Sequence, residues 1–166
     1  NRDAFDIECR RCGRFTISGT LYAIQNVPPE LRPDLSAYTR ACQENGEYPE
    51  MITTGNVADL ARRLRKIPPH EKPQQLLKTL AKRSRYPGFP VEFSQDWDYP
   101  LIHAQNAEEA VYHRRALVDL AYIQLDADGR SVVTHKGWQH LEETPVSRAA
   151  MSTSGKNLEV EKEWDA

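Results

Sequence analysis

The residues most able to do chemistry are two cysteines near the start of the chain. Cys9 and Cys12 have the C-x-x-C spacing and are followed directly by Gly13. This spacing is typical of a knuckle in which two thiolates and nearby backbone N–H groups surround one zinc ion. The pattern predicts structural zinc at Cys9 and Cys12. It supplies half of a site, because structural zinc takes four ligands.

Three interpretations of the incomplete site are open. In the first, the other cysteine pair precedes Asn1 in a longer protein. In the second, Cys42 and a histidine complete the site. In the third, Cys9 and Cys12 bind no metal and are a redox pair or ordinary thiols. Cys42 lies on an apolar helical stripe, which favours a buried thiol over a zinc ligand.

The pattern around the cysteines predicts the element that must position them. Apolar and polar residues alternate at 5–8 and at 14–17, so we expect a short β-hairpin with the cysteines in its turn. A short helix at 21–25 follows, and the paired prolines Pro28 and Pro29 end it. Residues 1–27 are thus predicted to form a zinc-ribbon-like hairpin and a short helix.

Residues 28–88 are predicted to form a helical bundle. Apolar residues recur at helical spacing from Leu31 to Cys42, and Asn45-Gly46 stops that helix. A second helix is expected from a cap at Thr53 or Thr54 to Ile67, and a third over 71–84. The turn-forming residues at 86–90 predict a domain boundary.

Residues 89–145 are predicted to form a second domain. We expect a short strand at 91–94, a loop at 95–100 and a helix at 106–120 capped by Asn106. Asp128-Gly129 is a strong hairpin signal between two strands, and Thr134 is expected to cap a last helix at 135–143. The polar residues 146–166 are predicted to be a linker or tail.

The order of these last elements resembles the end of many bacterial winged-helix domains. The resemblance is carried by the residues Leu117 to Ile123, then by Val132-Val133-Thr134-His135-Lys136-Gly137-Trp138. The chain departs from the pattern at Ala121, where glycine is usual. The predicted fold class is therefore α+β, mainly α, with a zinc-ribbon-like hairpin, a helical bundle and a C-terminal winged helix.

Three motifs together are similar to the N-terminal regions of a bacterial multidomain family. They lie at 8–19, at 35–46 and at 133–138. In that family a second C-x-x-C pair usually precedes the first motif. A domain similar to nucleoside deoxyribosyltransferases or to Toll/interleukin-receptor-type nucleotide hydrolases often follows, and such architectures recur in antiphage defence. The resemblance implies that any catalysis lies outside these residues.

A winged helix also implies where nucleic acid would bind. His113, Arg114 and Arg115 lie on the helix that precedes the hairpin, and such a helix enters the major groove in many winged helices. Arg130 at the hairpin and Lys136 at the last helix are expected to contact phosphate. The alternative is that the winged helix packs against protein, because acidic residues share the same helix.

The charge pattern allows two interpretations as well. Residues 61–85 hold nine Lys and Arg against one Glu, a net charge of +8, whereas residues 28–60 carry −4. The basic segment could be a polyanion-binding face. Alternatively, the two segments are solvated faces whose opposite charges attract each other.

Composition and motifs exclude several classes of protein. The net charge is −2, three cysteines do not make a disulfide framework, and no apolar run is long enough for a membrane span. These features predict a cytoplasmic protein without membrane contact. The five histidines are scattered, and neither a metal-binding helix motif nor a phosphate loop is present, so we expect no enzyme.

The function predicted from these features is a non-catalytic sensor, adaptor or nucleic-acid-binding module of a bacterial multidomain protein. Its expected partners are DNA or a nucleic-acid signal, a C-terminal effector domain, or a second copy of the chain. One alternative is a stand-alone winged-helix transcription regulator. Another is a fragment of an NAD- or nucleotide-hydrolysing enzyme that lacks its catalytic domain.

Overall fold

The computed structural model describes residues 3–24 and 27–143, and the predicted tail at 146–166 lies outside them. Within these ranges the fold is mixed α+β with two antiparallel hairpins. The elements are β1 (Ala4–Cys9), β2 (Gly13–Ser18), α1 (Gly19–Ile24), α2 (Arg32–Glu44), α3 (Val57–Arg62), α4 (Lys72–Arg83), α5 (Gln95–Asp98), α6 (Ala107–Asp119), β3 (Ile123–Leu125), β4 (Ser131–Val133) and α7 (His135–Glu143). Short 3-10 helices at Pro29–Leu31 and Tyr99–Ile102 precede α2 and follow α5.

The first hairpin confirms the predicted strands on either side of the cysteines. β1 pairs antiparallel with β2, and Cys9 is opposite Gly13 in the register. Gly13 has a φ of +84°, a left-handed conformation that favours glycine where the chain enters β2. The hairpin therefore places Cys9 at the end of β1 and Cys12 in the turn that follows.

An N-terminal core lies between this hairpin, α2 and α3. Its buried residues are Leu21, Tyr38, Cys42, Ile52, Val57 and Leu60. Ile17 and Ile52 form a parallel bridge that ties the hairpin to the chain after α2. The prediction that Cys42 is a buried thiol is confirmed.

A C-terminal core is built around α4. Leu76, Leu77 and Leu80 pack against the later elements of the chain, and the other buried members are Val91, Phe93, Ile102, Ala104, Ala110, Leu117, Ile123 and Val133. Although α4 was predicted to belong with the helical bundle, its leucines complete this second core. The boundary near residue 88 stays a prediction.

Two predicted elements differ from the structure. α3 ends at Arg62 and not at Ile67; Pro68 disfavours helical backbone at Ile67 itself. The predicted loop at 95–100 contains α5 and part of a 3-10 helix, because the Asp98 carboxylate accepts a hydrogen bond from the Ser94 N–H at 3.0 Å and closes a helical turn. The expected strand at 91–94 is reduced to one bridge, between Val91 and Ser131.

The last four elements follow the predicted order closely. Asn106 caps α6 by accepting a hydrogen bond from the Glu109 N–H at 2.9 Å. Thr134 caps α7 by accepting one from the Gly137 N–H at 3.1 Å. Ala121, where the sequence pattern usually has glycine, has a φ of +58°. The left-handed backbone at this position explains the preference for glycine.

Candidate functional site

The cysteine turn joins the two thiols and one hydroxyl. Cys9 Sγ accepts a hydrogen bond from the Cys12 N–H at 3.2 Å, and Cys12 Sγ lies 3.3 Å from the Ser36 hydroxyl. The two thiols are close enough for each to shift the pKa of the other. The hairpin thus presents a close dithiol against the side of α2.

The two cysteines have different acidities. Burial acts to raise the pKa of Cys9, but hydrogen bonds from the Cys12 and Arg11 backbones and the Arg11 charge bring that pKa below its ordinary value. Burial raises the pKa of Cys12, and neighbouring Cys9 raises it further although Ser36 opposes the change. Cys9 is consequently the more acidic thiol of the pair.

The predicted zinc site is wrong for this part of the chain. Among residues 3–24 and 27–143, no group of three or more His, Cys, Asp or Glu side chains is placed to hold a metal ion. Cys42 belongs to the N-terminal core, and the third neighbour of the cysteine pair is the hydroxyl of Ser36. Residues 3–24 and 27–143 therefore do not supply the four ligands that structural zinc needs around Cys9 and Cys12.

The residues between the cysteines contact the C-terminal half of the fold. The Arg10 guanidinium lies 5.3 Å from the Trp97 ring centroid, and Arg11 Nη1 donates a hydrogen bond to the Tyr99 hydroxyl at 2.9 Å. Arg40 Nη1 donates to the Arg10 carbonyl oxygen at 2.7 Å. The turn is thereby fixed to α5 and the 3-10 helix after it, far away in sequence.

A cavity of about 310 Å³ opens beside the turn. Cys12 lies in its wall, with the apolar side chains of Phe15, Leu35 and Ile52. Its mostly apolar lining suits a small apolar group, and its volume is at the lower end for ligand pockets.

Two residues of α6 that were predicted to contact nucleic acid face inward. The His113 side chain is buried, and its Nε2 lies 3.5 Å from Glu109 Oε1. Burial lowers the pKa of His113, although the Glu109 carboxylate opposes the change. Arg114 Nε donates a hydrogen bond to the Ser131 hydroxyl at 3.0 Å, and its Nη2 donates to the Gly129 carbonyl. Arg114 therefore holds the second hairpin against α6.

Arg130 and Lys136 are exposed, but both are bonded to groups of the same fold. Arg130 Nε lies 2.7 Å from Asp126 and its Nη2 lies 3.0 Å from Asp128, so the hairpin turn neutralises the guanidinium. Lys136 Nζ donates a hydrogen bond to the Leu120 carbonyl at 2.9 Å, and it lies over the Tyr122 ring. Arg130 thus stabilises the hairpin turn, and Lys136 connects the start of α7 to the end of α6.

The exposed face of α6 has a mixed composition. Glu108, Tyr112, Arg115 and Asp119 are exposed and recur at helical spacing along it. Of the predicted nucleic-acid contacts on this helix, Arg115 is the exposed one. Tyr112 is 69% exposed, and the sequence patterns did not single it out.

The basic segment at 61–85 pairs with the acidic segment before it. Lys66 contacts Asp34, Arg63 contacts Glu50, and Arg83 contacts Glu44, with N–O distances of 3.4, 3.0 and 2.9 Å. This pairing is the arrangement expected if the opposite charges of the two segments attract each other. It reduces the charge that the basic segment presents to an outside polyanion.

One cluster of titratable groups was missed in the sequence. The buried Lys72 ammonium contacts Glu109 Oε1, and His113 Nε2 lies 3.5 Å from the same oxygen. Lys72 is 5% exposed and His113 is 3% exposed, so neither reaches solvent. Residues from α4 and α6 form the cluster, and neither helix alone carries a signal for it.

The comparisons with protein-family models, curated proteins and solved structures find no match to the chain. Among the described residues, no helix has both the length and the apolar composition needed to cross a membrane.

Proposed function

We propose that residues 72–143 form a winged helix that serves as a non-catalytic protein-recognition module. The order of elements supports this proposal: α4, the bridge at Val91, the short helices at 95–102, α6, the β3–β4 hairpin and α7. A winged helix has this succession of helix, short strand, two helices and two strands that enclose a wing. On this proposal α6 is the recognition helix.

We favour a protein partner over DNA because most of the basic side chains near α6 and the hairpin already bind groups of the same fold. Arg114, Arg130 and Lys136 are bonded to groups of the same fold. The outward face of α6 keeps one arginine, Arg115, beside an exposed tyrosine and two carboxylates. DNA-binding surfaces need several free cations against the phosphates, whereas exposed tyrosine and arginine are common anchors of protein interfaces.

The proposal of a non-catalytic role is supported by the position of the titratable groups. Lys72, Glu109 and His113 form the closest cluster of acid and base groups in the C-terminal core. The near-complete burial of Lys72 and His113 keeps the cluster from meeting a substrate. A structural role for these charges accounts for the contacts.

The N-terminal hairpin is proposed to be a ribbon-like element that packing stabilises in place of metal. Its bridge to Ile52 and its contact with α2 support this role. We keep the proposal that the chain is a sensor or adaptor region of a longer antiphage-defence protein, since the three sequence motifs favour it. An effector activity would then belong to another domain.

Binding to nucleic acid is the decisive test of the recognition surface. Fluorescence anisotropy with duplex DNA and with single-stranded RNA, at low and at physiological salt, is expected to give no saturable binding at micromolar protein. Saturable binding that weakens with salt and that Arg115→Glu abolishes would overturn the choice of protein over DNA.

A positive test uses a photo-crosslinking amino acid at position 112, in cells that contain the protein. We expect crosslinks to protein from this position, and their loss when Arg115→Glu is added. The same amino acid at position 82, which is exposed on α4, is the matched control. Equal crosslinking from both positions would contradict recognition through α6.

A further inference from the structure

Cys9 and Cys12 lie close enough to form a disulfide, which requires no metal. Cys9 ends β1 opposite Gly13, and Cys12 directly precedes Gly13. Opposite residues of an antiparallel pair have Cα atoms about 4.5 to 5.5 Å apart, and the Cys9 sulfur lies 3.2 Å from the Cys12 nitrogen. Disulfides span Cα separations of about 4.4 to 6.8 Å. The hairpin therefore brings the two thiols to a separation at which a bond requires little movement of the backbone.

We propose that Cys9 and Cys12 are a redox-active dithiol that exchanges with small-molecule disulfides and closes reversibly to an intramolecular disulfide. The 3.2 Å contact between the Cys9 sulfur and the Cys12 backbone N–H supports the closure. The third cysteine, Cys42, lies in the N-terminal core and is not part of the pair.

The geometry assigns the attacking role to Cys9. Its sulfur accepts the N–H of Cys12 at 3.2 Å, a contact that stabilises a thiolate. Cys12 is the resolving thiol, because its sulfur lies against the Ser36 hydroxyl and faces Cys9. Both thiols are partly exposed, so a small disulfide can approach the turn from solvent.

The exchange proceeds in two balanced steps. The Cys9 thiolate attacks one sulfur of the small disulfide, forms a mixed disulfide with it and expels the other half as a thiolate. Cys12 then loses its proton to solvent and attacks the Cys9 sulfur, which expels the second thiolate. The protein loses two hydrogens, and the small disulfide is reduced to two thiols.

Disulfide formation should also affect the contacts that the turn makes with the rest of the protein. Arg10 and Arg11 lie between the cysteines and contact Trp97 and Tyr99. Closure of the disulfide constrains the backbone of both arginines. The contact between the turn and the segment at 95–102 therefore depends on the oxidation state.

The test is exposure of the reduced protein to oxidised glutathione, followed by alkylation of the remaining thiols and mass spectrometry. We expect the wild type and Cys42→Ser to lose two hydrogens and to regain them with excess reduced glutathione. Cys12→Ser is expected to stop as an adduct with one glutathione. In Cys9→Ser the reaction of Cys12 should be at least about tenfold slower, since burial raises the pKa of Cys12 whereas the Cys9 sulfur accepts the Cys12 backbone N–H.

Two results would overturn the proposal. One is a wild-type protein whose Cys9 and Cys12 both remain alkylatable in excess oxidised glutathione while the far-ultraviolet dichroism shows a folded chain. The other is equal adduct formation by Cys9→Ser and Cys12→Ser, which would remove the assigned order. Tryptophan fluorescence should change on oxidation, and Trp97→Phe should abolish most of that change.

Discussion

Arg40 Nη2 and Asp98 Oδ1 lie 2.8 Å apart and join the two cores of the protein. Arg40 is on α2, which packs in the N-terminal core, whereas Asp98 ends α5 in the C-terminal half. Asp98 also accepts hydrogen bonds from Arg83 of α4 at 3.2 and 3.3 Å and from the Ser94 N–H. One buried carboxylate thus organises the junction at which the cysteine turn also rests.

Asp98→Asn is expected to lower the free energy of unfolding by about 3 kcal/mol. The substitution removes one of the two carboxylates that Arg40 and Arg83 share, the other being Glu44. Removal of one partner of a buried pair is costly. Urea unfolding followed by circular dichroism measures the change.

The matched control for this substitution is Glu50→Gln, which removes an ion pair with Arg63. Both side chains of that pair are 52% exposed, so the expected loss is below about 1 kcal/mol. An Asp98→Asn protein no less stable than the control would contradict the role of Asp98 at the junction.

Gly137→Ala is expected to lower stability by about 1 to 3 kcal/mol, since a Cβ at this position would lie 2.2 Å from the Tyr122 carbonyl oxygen. Thermal unfolding measures the loss. Gly55→Ala is the control, because the nearest neighbour of its Cβ is 3.8 Å away. A Gly137→Ala protein as stable as the Gly55→Ala protein would argue that α7 lies further from Tyr122.

Ala121→Gly is expected to raise stability by up to about 1 kcal/mol, since glycine removes the strain of a φ of +58° at a non-glycine residue. Ala116→Gly, in the interior of α6, should lower stability by about 1 kcal/mol in the same unfolding assay. Destabilisation by both substitutions would exclude strain at position 121.

Stability is expected to fall as the pH drops below about 6.5, the ordinary pKa of histidine. Burial lowers the pKa of His113 and also that of His103. Below the ordinary value the unfolded chain therefore binds more protons than the folded chain, and folding loses free energy as the pH falls toward the lowered values. Glu109, whose pKa is also lowered by Lys72 although burial opposes the change, adds to the loss at more acidic pH.

Replacement of the buried histidines tests this explanation. The doubly substituted protein His103→Gln/His113→Gln should show a flatter dependence of unfolding free energy on pH between about 6.5 and 5. His70→Gln removes a histidine whose side chain is 80% exposed, and it should leave the slope unchanged. A slope that persists in the double variant would assign the pH dependence to other groups.

Local sequence signals predicted most of the helices and both hairpins. Capping residues and turns act within a few positions of themselves, so Asn106, Thr134 and the Asp-Gly turn could be interpreted without tertiary information. The observed bounds of α7 and the burial of Cys42 follow from such signals. The preference for glycine at position 121 was visible as a pattern, but its reason needed the backbone angle.

Local sequence signals could not predict the roles of the charged side chains. The sequence shows that Arg114, Arg130 and Lys136 are basic, but it does not show that Ser131, Asp126 and the Leu120 carbonyl bind them. The zinc prediction failed for the same reason, since C-x-x-C spacing describes two ligands and tertiary structure supplies the others. The partners of Arg114 and Lys136 are distant in sequence and meet them only in the folded chain, whereas Arg130 and Asp126 meet within one turn.

The sequence by itself therefore determined the order of the elements, the hairpin that holds the two cysteines and the apolar stripes that are buried. The tertiary structure alone decided which cations are free, that α4 completes the C-terminal core, and that Ser36 is the neighbour of the cysteine pair. The physical reason is range: caps, turns and periodicity act over a few residues, whereas ion pairing and burial depend on chain segments that folding brings together.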